Sequence, residues 1–269
     1  MSAKTEIIAE IGENHLGNWD MARRMIEEAA KAGADIVKFQ SYLGSDVDPK
    51  DPERDWFTRV SVPDETHFEL KKLAESLGVE FLSAPFSLGR AKFLVESLGL
   101  KKIKIASSEM LNARLLDYLN GRVDKVYLST GMSTIDEIRE SLTHLRRVGE
   151  VAILHCVTQY PLKDEDANLR AIPVLQAAFP SHPIGYSDHT EGIIAPMVAV
   201  ALGARVIEKH FTLGKSLPGT DHVVSVDPEG LALLVRQIRQ TETLLGRPVK
   251  EPVKAELEIR DFVRKRFPK

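Results

Sequence analysis

From Thr5 onward the chain alternates short apolar runs, rich in β-branched residues, with longer segments whose apolar positions recur at three- and four-residue spacing. The runs are EIIAE, ADIVKFQ, VEFLS, KIKIA, KVYLS, VAILHC, PIGYSD and RVIEKHF. Short, nearly continuous apolar runs of this kind are expected of parallel strands buried on both faces. Between them, Trp19 to Ala32, Thr66 to Leu77, Thr134 to Val148, Leu169 to Phe179, Gly192 to Gly203 and Glu229 to Leu245 carry the spacing of helices. Several of these begin after Ser, Thr, Asp or Asn, residues whose side chains accept from the free amides of a first turn. Gly33, Gly78, Gly99 and Gly203 each stand where a helix must stop before the next strand.

Eight such units predict an α/β fold of the closed (β/α)8 TIM-barrel type. A single barrel domain is expected over residues 1–247. Residues 248–269 form a charged amphipathic tail, expected to pack on the barrel base or on another subunit. The alternative, an open doubly wound sheet, wants a glycine-rich phosphate loop after its first strand, and EIGENHLGNW does not supply GxGxxG. The stretch Leu43 to Asp64, rich in Asp and Pro, is too long for a simple turn and reads as a lid or rim loop over the mouth.

Composition narrows the partners. Among 269 residues, 36 Lys and Arg stand against 39 Asp and Glu, a net charge of −3, so no bulk basic field argues for nucleic acid or an anionic membrane. Any anion site must be local. The lone cysteine, Cys156, excludes an intrachain disulfide framework and fits a reducing cytoplasm. No stretch reaches the roughly 18 apolar residues of a membrane span, and the first residues lack a basic-then-apolar pattern, so a soluble, unprocessed chain is expected.

Candidate chemistry gathers at the strand ends. Ile184 to His189 and Val206 to His210 are two apolar runs that end in histidine and flank one helix, which places two imidazoles side by side at the mouth of a parallel barrel. They suit a metal, or else each caps its strand with hydrogen bonds. Lys38 and Lys104 interrupt apolar strands, where charge is costly unless paired. Lys38 shares a face with Ile36 and Gln40, and Lys104 with Lys102 and Ala106. Either lysine could pair with Glu10 or Glu208 inside the barrel, or both could face an anionic ligand. Ser83, Ser107, Ser108, Ser129, Thr130 and Ser187 end their strands with hydroxyls that could cradle a phosphate or carboxylate. Glu10 and Glu109 are carboxylates expected at the same mouth, as ligands, orienting groups or acid/base groups. His15, His155, Tyr160 and His222 are weaker candidates, and His155 is expected to be a satisfied core residue.

Taken together, AEIGENHLG, GADIVKFQ, LSAPFS, KIASSE, LSTGMS, HCVTQYP, IGYSDHT and VIEKHFT followed by PGTDH resemble the sialic acid synthase (N-acetylneuraminate synthase, NeuB-like) family. The resemblance implies a transferase that condenses phosphoenolpyruvate (PEP) with an amino-sugar aldehyde such as N-acetylmannosamine to a 2-keto acid, releasing phosphate. It implies a divalent metal, usually Mn²⁺ with Mg²⁺ possible, on His189 and His210. It places Lys38, Lys104, Ser107, Ser129 and Ser187 on PEP, and Glu10, Gln40, Glu109, Tyr160 and Asp221 around the reacting centre or acceptor, and it implies a homodimer. Two departures stand out. The chain stops where the family's C-terminal antifreeze-like domain would begin, so the acceptor pocket is expected to be open or covered by the Asp46 to Asp64 loop, and Thr158 replaces an asparagine. Rival readings are a metal-dependent hydrolase, which wants an HxH pair on its first strand; a metal-independent Schiff-base aldolase using Lys38 or Lys104; and a non-catalytic barrel that binds a phosphorylated metabolite.

Overall fold

A computed structural model of the chain describes residues 4–267. Eight strands form one parallel sheet: β1 Glu6–Gly12, β2 Ile36–Ser41, β3 Glu80–Pro85, β4 Lys102–Ile105, β5 Lys125–Ser129, β6 Glu150–Cys156, β7 Ile184–Asp188 and β8 Val206–His210. Hydrogen-bonded neighbours run β3-β2-β1-β8-β7-β6-β5-β4, and β3 lies beside β4 to complete a TIM barrel. At that seam Lys102 Nζ donates to Glu80 Oε2 at 2.7 Å. At the other end of the fold Arg239, on the helix Pro228–Leu245, donates to Thr5 O (2.8 Å) and Asp35 Oδ2 (2.9 Å), tying the last unit to the first.

Capping follows the sequence. Asn18 accepts from Met21 N ahead of the helix Trp19–Ala32, which Gly33 ends at φ 89°, and Thr134 and Glu137 form a capping box before Ile135–Thr143. That helix stops at Thr143 rather than running to Val148, because Leu145 N turns back to Leu142 O and Arg147 N is taken by Asn120 Oδ1 of the preceding unit. Residues 43–64 are more ordered than a loop and include the helix Arg54–Val60. Among the described residues the tail helix Leu257–Arg264 buries none of its side chains and leaves Ile259 and Phe262 exposed, so of the two expected placements it does not take the barrel base.

Two apolar layers explain the stability of the cylinder. The larger lies between the outward strand faces and the helices. The smaller, Ile8, Ile36, Leu82, Tyr127, Ala152, Leu154 and Val206, plugs the barrel interior. Since side chains alternate along a strand, the inward residues two positions later form the layer above that plug. They are Glu10, Lys38, Ala84, Ser129, Cys156 and Glu208, with Lys104 and Ser187 from β4 and β7 at the same level. A polar layer thus rests on an apolar floor at the carboxyl ends of the strands, where (β/α)8 enzymes place their sites.

Candidate active site

That polar layer lines a cavity of about 420 Å³, together with Glu13, Gln40, Phe57, Ala106, Ser107, Ser108, Met132, Thr158, Tyr160, His189, His210, Thr220 and Asp221. Strand register sets who meets whom. Glu10 stands opposite Lys38 on one side and His210 on the other, while Ser187 stands between Cys156 and Glu208.

Both lysines are nearly inaccessible to solvent, at 4% for Lys38 and 2% for Lys104, and both pair with carboxylates inside the barrel. Lys38 Nζ lies 3.0 Å from Glu10 Oε2 and 3.5 Å from Glu208 Oε2, and Lys104 Nζ lies 3.5 Å from Glu208 Oε1, yet both side chains line the cavity. Burial disfavours the charge on each. For Lys38 the carboxylates of Glu10 and Glu208 outweigh burial and raise the pKa. For Lys104 burial wins over Glu208, and its pKa falls below that of an ordinary lysine. Glu208, with both lysines beside it and Ser187 Oγ donating at 2.7 Å, overcomes its own burial and is held down to about 2. Glu10 is pushed up by burial, with Lys38 offsetting part of the effect.

Several buried polar atoms of these residues have no aligned hydrogen-bond partner: Glu10 Oε2, Glu208 Oε2, Ser129 Oγ and His210 Nδ1. The ion pairs above are therefore close in distance without being locked in direction. Unsatisfied buried groups are costly, and these four, among others elsewhere in the fold, face one cavity where a polar ligand would satisfy them. Gly12 sharpens the point: its φ of 50° and the bulge after Glu10 bring Glu10 Oε1, Gln40 Nε2 and Asp221 Oδ2 within 3.6 Å of where a side-chain carbon would stand.

The imidazoles sit together, their rings 5.3 Å apart. His189 Nδ1 lies 2.7 Å from Val157 O, the contact of an N–H donor, which leaves Nε2 with a free lone pair. Burial and the neighbouring His210 depress its pKa to about 4, so it is neutral at pH 7. His210 Nδ1 is 3.2 Å from Asp221 Oδ2 but off the hydrogen-bonding direction; burial lowers its pKa and Asp221 more than reverses that. Tyr160 covers both rings, 4.0 Å from that of His189 and edge-on to His210 at 5.8 Å. Among the described residues no group of three or more His, Cys, Asp or Glu is spaced to hold a metal ion. Two imidazoles with an orphaned nitrogen still fit a cation that keeps several non-protein ligands, the habit of Mn²⁺ and Mg²⁺ rather than of a closed zinc site.

Not every expected residue reaches the cavity. Glu109 lies on a short turn, half-buried, with its carboxylate accepting from Asn112 Nδ2 at 2.8 Å, outside the cavity lining. Ser83 falls between the inward Leu82 and Ala84 and so points to the helices, and Thr130 Oγ1 donates to Leu154 O instead. Ser107 Oγ lines the cavity and accepts from Gly131 N at 3.0 Å. His155 contacts Ala167 O at 2.9 Å as a core residue, while His15 and His222 are buried away from the cavity. Conversely, Glu208 entered the sequence argument only as a lysine partner, although it shares the inward face of β8 with His210. Glu13 and Phe57 gave no signal at all. Glu13 accepts from Tyr42 Oη (2.7 Å) and from Trp56 Nε1 (2.6 Å), latching the segment 43–64 over the mouth, where Phe57 enters the cavity.

The fold and this mouth define a (β/α)8-barrel enzyme whose site joins buried cations, carboxylates and an imidazole pair. Residues 25–250 match the NeuB family model. N,N'-diacetyllegionaminic acid synthase of Legionella pneumophila is 39% identical over 96% of this chain and 78% of its own length. An uncharacterized protein of Methanocaldococcus jannaschii is 43% identical over 95% and 76%. The crystal structure of a sialic acid synthetase from Leptospira borgpetersenii in complex with citrate superposes with a TM-score of 0.92 at 34% identity, covering 98% of this chain and 93% of that one. The chain belongs to the NeuB family of PEP-condensing sugar acid synthases. Among the described residues no helix is long and apolar enough to cross a membrane.

Proposed function

We propose that the chain condenses PEP with an N-acetylmannosamine-like aldose to give a sialic-acid-type 2-keto sugar acid and inorganic phosphate. The observation that carries this reading is the pairing, in one cavity, of buried Lys38 and Lys104 with the imidazoles of His189 and His210. The lining also holds Glu10, Glu13, Glu208 and Asp221, so carboxyl groups outnumber the lysines. An anion entering there gains from further positive charge. His189 and His210 would hold a divalent cation, Mn²⁺ or Mg²⁺, and such an ion, when bound, supplies that charge and polarises an aldehyde oxygen.

In this reading Lys104, with Ser107 and Ser129, holds the PEP phosphate, and Lys38 and Ser187 hold the carboxylate. Gln40, Tyr160 and Asp221 orient the aldose. C3 of PEP attacks the aldehyde carbon, whose C=O π pair moves to oxygen and takes up a proton. A water oxygen adds at C2, and the C2–O bond to phosphate breaks with both electrons leaving on the phosphate while the C2 hydroxyl loses its proton to become the keto group. Glu10, which burial makes a stronger base than an ordinary carboxylate, takes the proton from that water. Glu109 can share in this only by releasing Asn112 and turning inward. Lys104, buried at the cavity wall, stabilises the charge on the departing phosphate.

The test is phosphate release from PEP and Mn²⁺ across N-acetylmannosamine, its 6-phosphate and bacterial diamino-dideoxy hexoses. Release with one of these, coupled to 2-keto acid formation, is expected. Release with none of them, while another aldose class reacts, overturns the substrate assignment.

A further inference from the structure

Alternation along β7 and β8 turns Ser187, His189, Glu208 and His210 toward the cavity, and it turns Asp188 and Lys209 to the opposite face, against the helices. Both of these side chains are wholly buried. Lys209 Nζ donates to Asp188 Oδ2 at 2.6 Å and also to Thr190 O. Asp188 Oδ1 accepts from Tyr186 Oη (2.9 Å), Thr190 N (2.9 Å) and Thr190 Oγ1 (2.8 Å). None of Tyr186, Asp188, Thr190 and Lys209 lines the cavity.

A buried ion pair adds little net stability, because desolvation offsets most of the attraction. Its position says more. The β7–β8 ladder pairs Tyr186 with Ile207, Ser187 with Glu208 and Asp188 with Lys209, and it ends there. The next residues on the two chains are His189 and His210. The ion pair therefore cross-links the last rung below the imidazoles, while Thr190, on the far side of His189, is held by both partners. His189 O in turn accepts from Leu162 N at 2.9 Å. The backbone that carries His189 is clamped before, at and after the residue.

We propose that Asp188 and Lys209 are positioning residues that fix the spacing of His189 and His210 for a divalent cation; this rests on the reading of those two histidines as the metal pair. The network sets where the imidazoles stand without touching substrate, and it acts across a strand face that the ligand never sees.

The experiment measures Mn²⁺ alone, by loss of the free-ion paramagnetic resonance signal, with thermal melting and metal-free PEP binding recorded on the same full-chain samples. Removing one charge leaves the other buried and unpaired, so the main variant is the double substitution Asp188→Asn/Lys209→Met, which removes both. It is expected to keep its melting temperature within a few degrees and its metal-free PEP affinity within about twofold. Its Mn²⁺ affinity is expected to fall about tenfold, near the lower end of what loss of a direct partner of a metal ligand costs, since this pair acts through the backbone. Tyr186→Phe, which deletes one neutral donor, covers the case in which the double variant does not fold, and is expected to weaken Mn²⁺ several-fold. Native Mn²⁺ affinity in a folded double variant, or in Tyr186→Phe should the double variant not fold, overturns the positioning role. So does a loss of Mn²⁺ affinity matched by equal losses in PEP affinity and melting temperature. A parallel His210→Ala sample separates the two ideas: if it still binds Mn²⁺ natively, the metal assignment fails and the positioning role falls with it. If it does not, the double-variant result judges the positioning role alone.

Discussion

Lys104→Ala tests the site most directly. Its ammonium is buried at the cavity wall, with Ile105 O at 3.2 Å and Glu208 Oε1 at 3.5 Å as its protein partners. Two unit charges about 4 Å apart at an effective dielectric near 20 attract by roughly 4 kcal/mol. Truncating one partner of a buried, hydrogen-bonded charge pair costs on the order of 2–5 kcal/mol. We therefore expect PEP affinity to fall by about 3 kcal/mol, more than a hundredfold. Glu208 keeps Lys38 and the Ser187 hydroxyl, so the ligand-free protein should lose less than the complex does. Calorimetric titration with PEP at 0.05 and 0.5 M salt measures the loss, which should hardly change with salt because a buried contact is poorly screened. A loss below roughly 0.5 kcal/mol, or one that vanishes in high salt, would falsify the assignment and place Lys104 with weak exposed pairs.

Other outcomes follow from the same geometry. His210→Ala should remain folded by circular dichroism and lose Mn²⁺ binding, and retained metal-dependent turnover would defeat the ligand assignment. Glu208 has a folded pKa held below its unfolded value, so its contribution to stability is present above about pH 4.5 and lost as pH falls toward about 2. Urea melts of Glu208→Gln should accordingly show a shallower decline than the parent protein across that window, and parallel curves would contradict the coupling. Because burial lowers the Lys104 pKa, PEP affinity should decline on the alkaline side before ordinary lysines titrate; a flat profile to pH 10 would count against it. Trp56→Phe deletes the hydrogen bond to Glu13 and should weaken the lid by about 1.5 kcal/mol, seen as roughly tenfold faster hydrogen exchange over 43–64.

The barrel was legible because parallel strands buried on both faces write themselves as uninterrupted apolar runs, and the inward residues because alternation is strict within a strand. Lys38, Gln40, Ser129, Ser187 and His210 all obey that alternation, and each lines the cavity. It fails where the strand ends. After Ala106 the chain turns through Ser107–Glu109, so counting by twos no longer says where Glu109 points. Glu208 was visible on the right face, but its span between lysines of β2 and β4 depends on closure of the cylinder, which no local pattern records. Glu13 and Phe57 were invisible for a related reason: their roles arise from a lid contact across 43 positions of chain.

The ammonium groups of the mouth come from β2 and β4, and its imidazoles from β7 and β8. Neither half of the barrel carries both kinds of group. A folding intermediate, proteolytic fragment or engineered half-barrel holding only one set would retain at most a single partial affinity, for an anion or for a cation. Recovery of turnover on mixing two such fragments would thus report assembly of the whole ring, making catalysis itself a gauge of complementation.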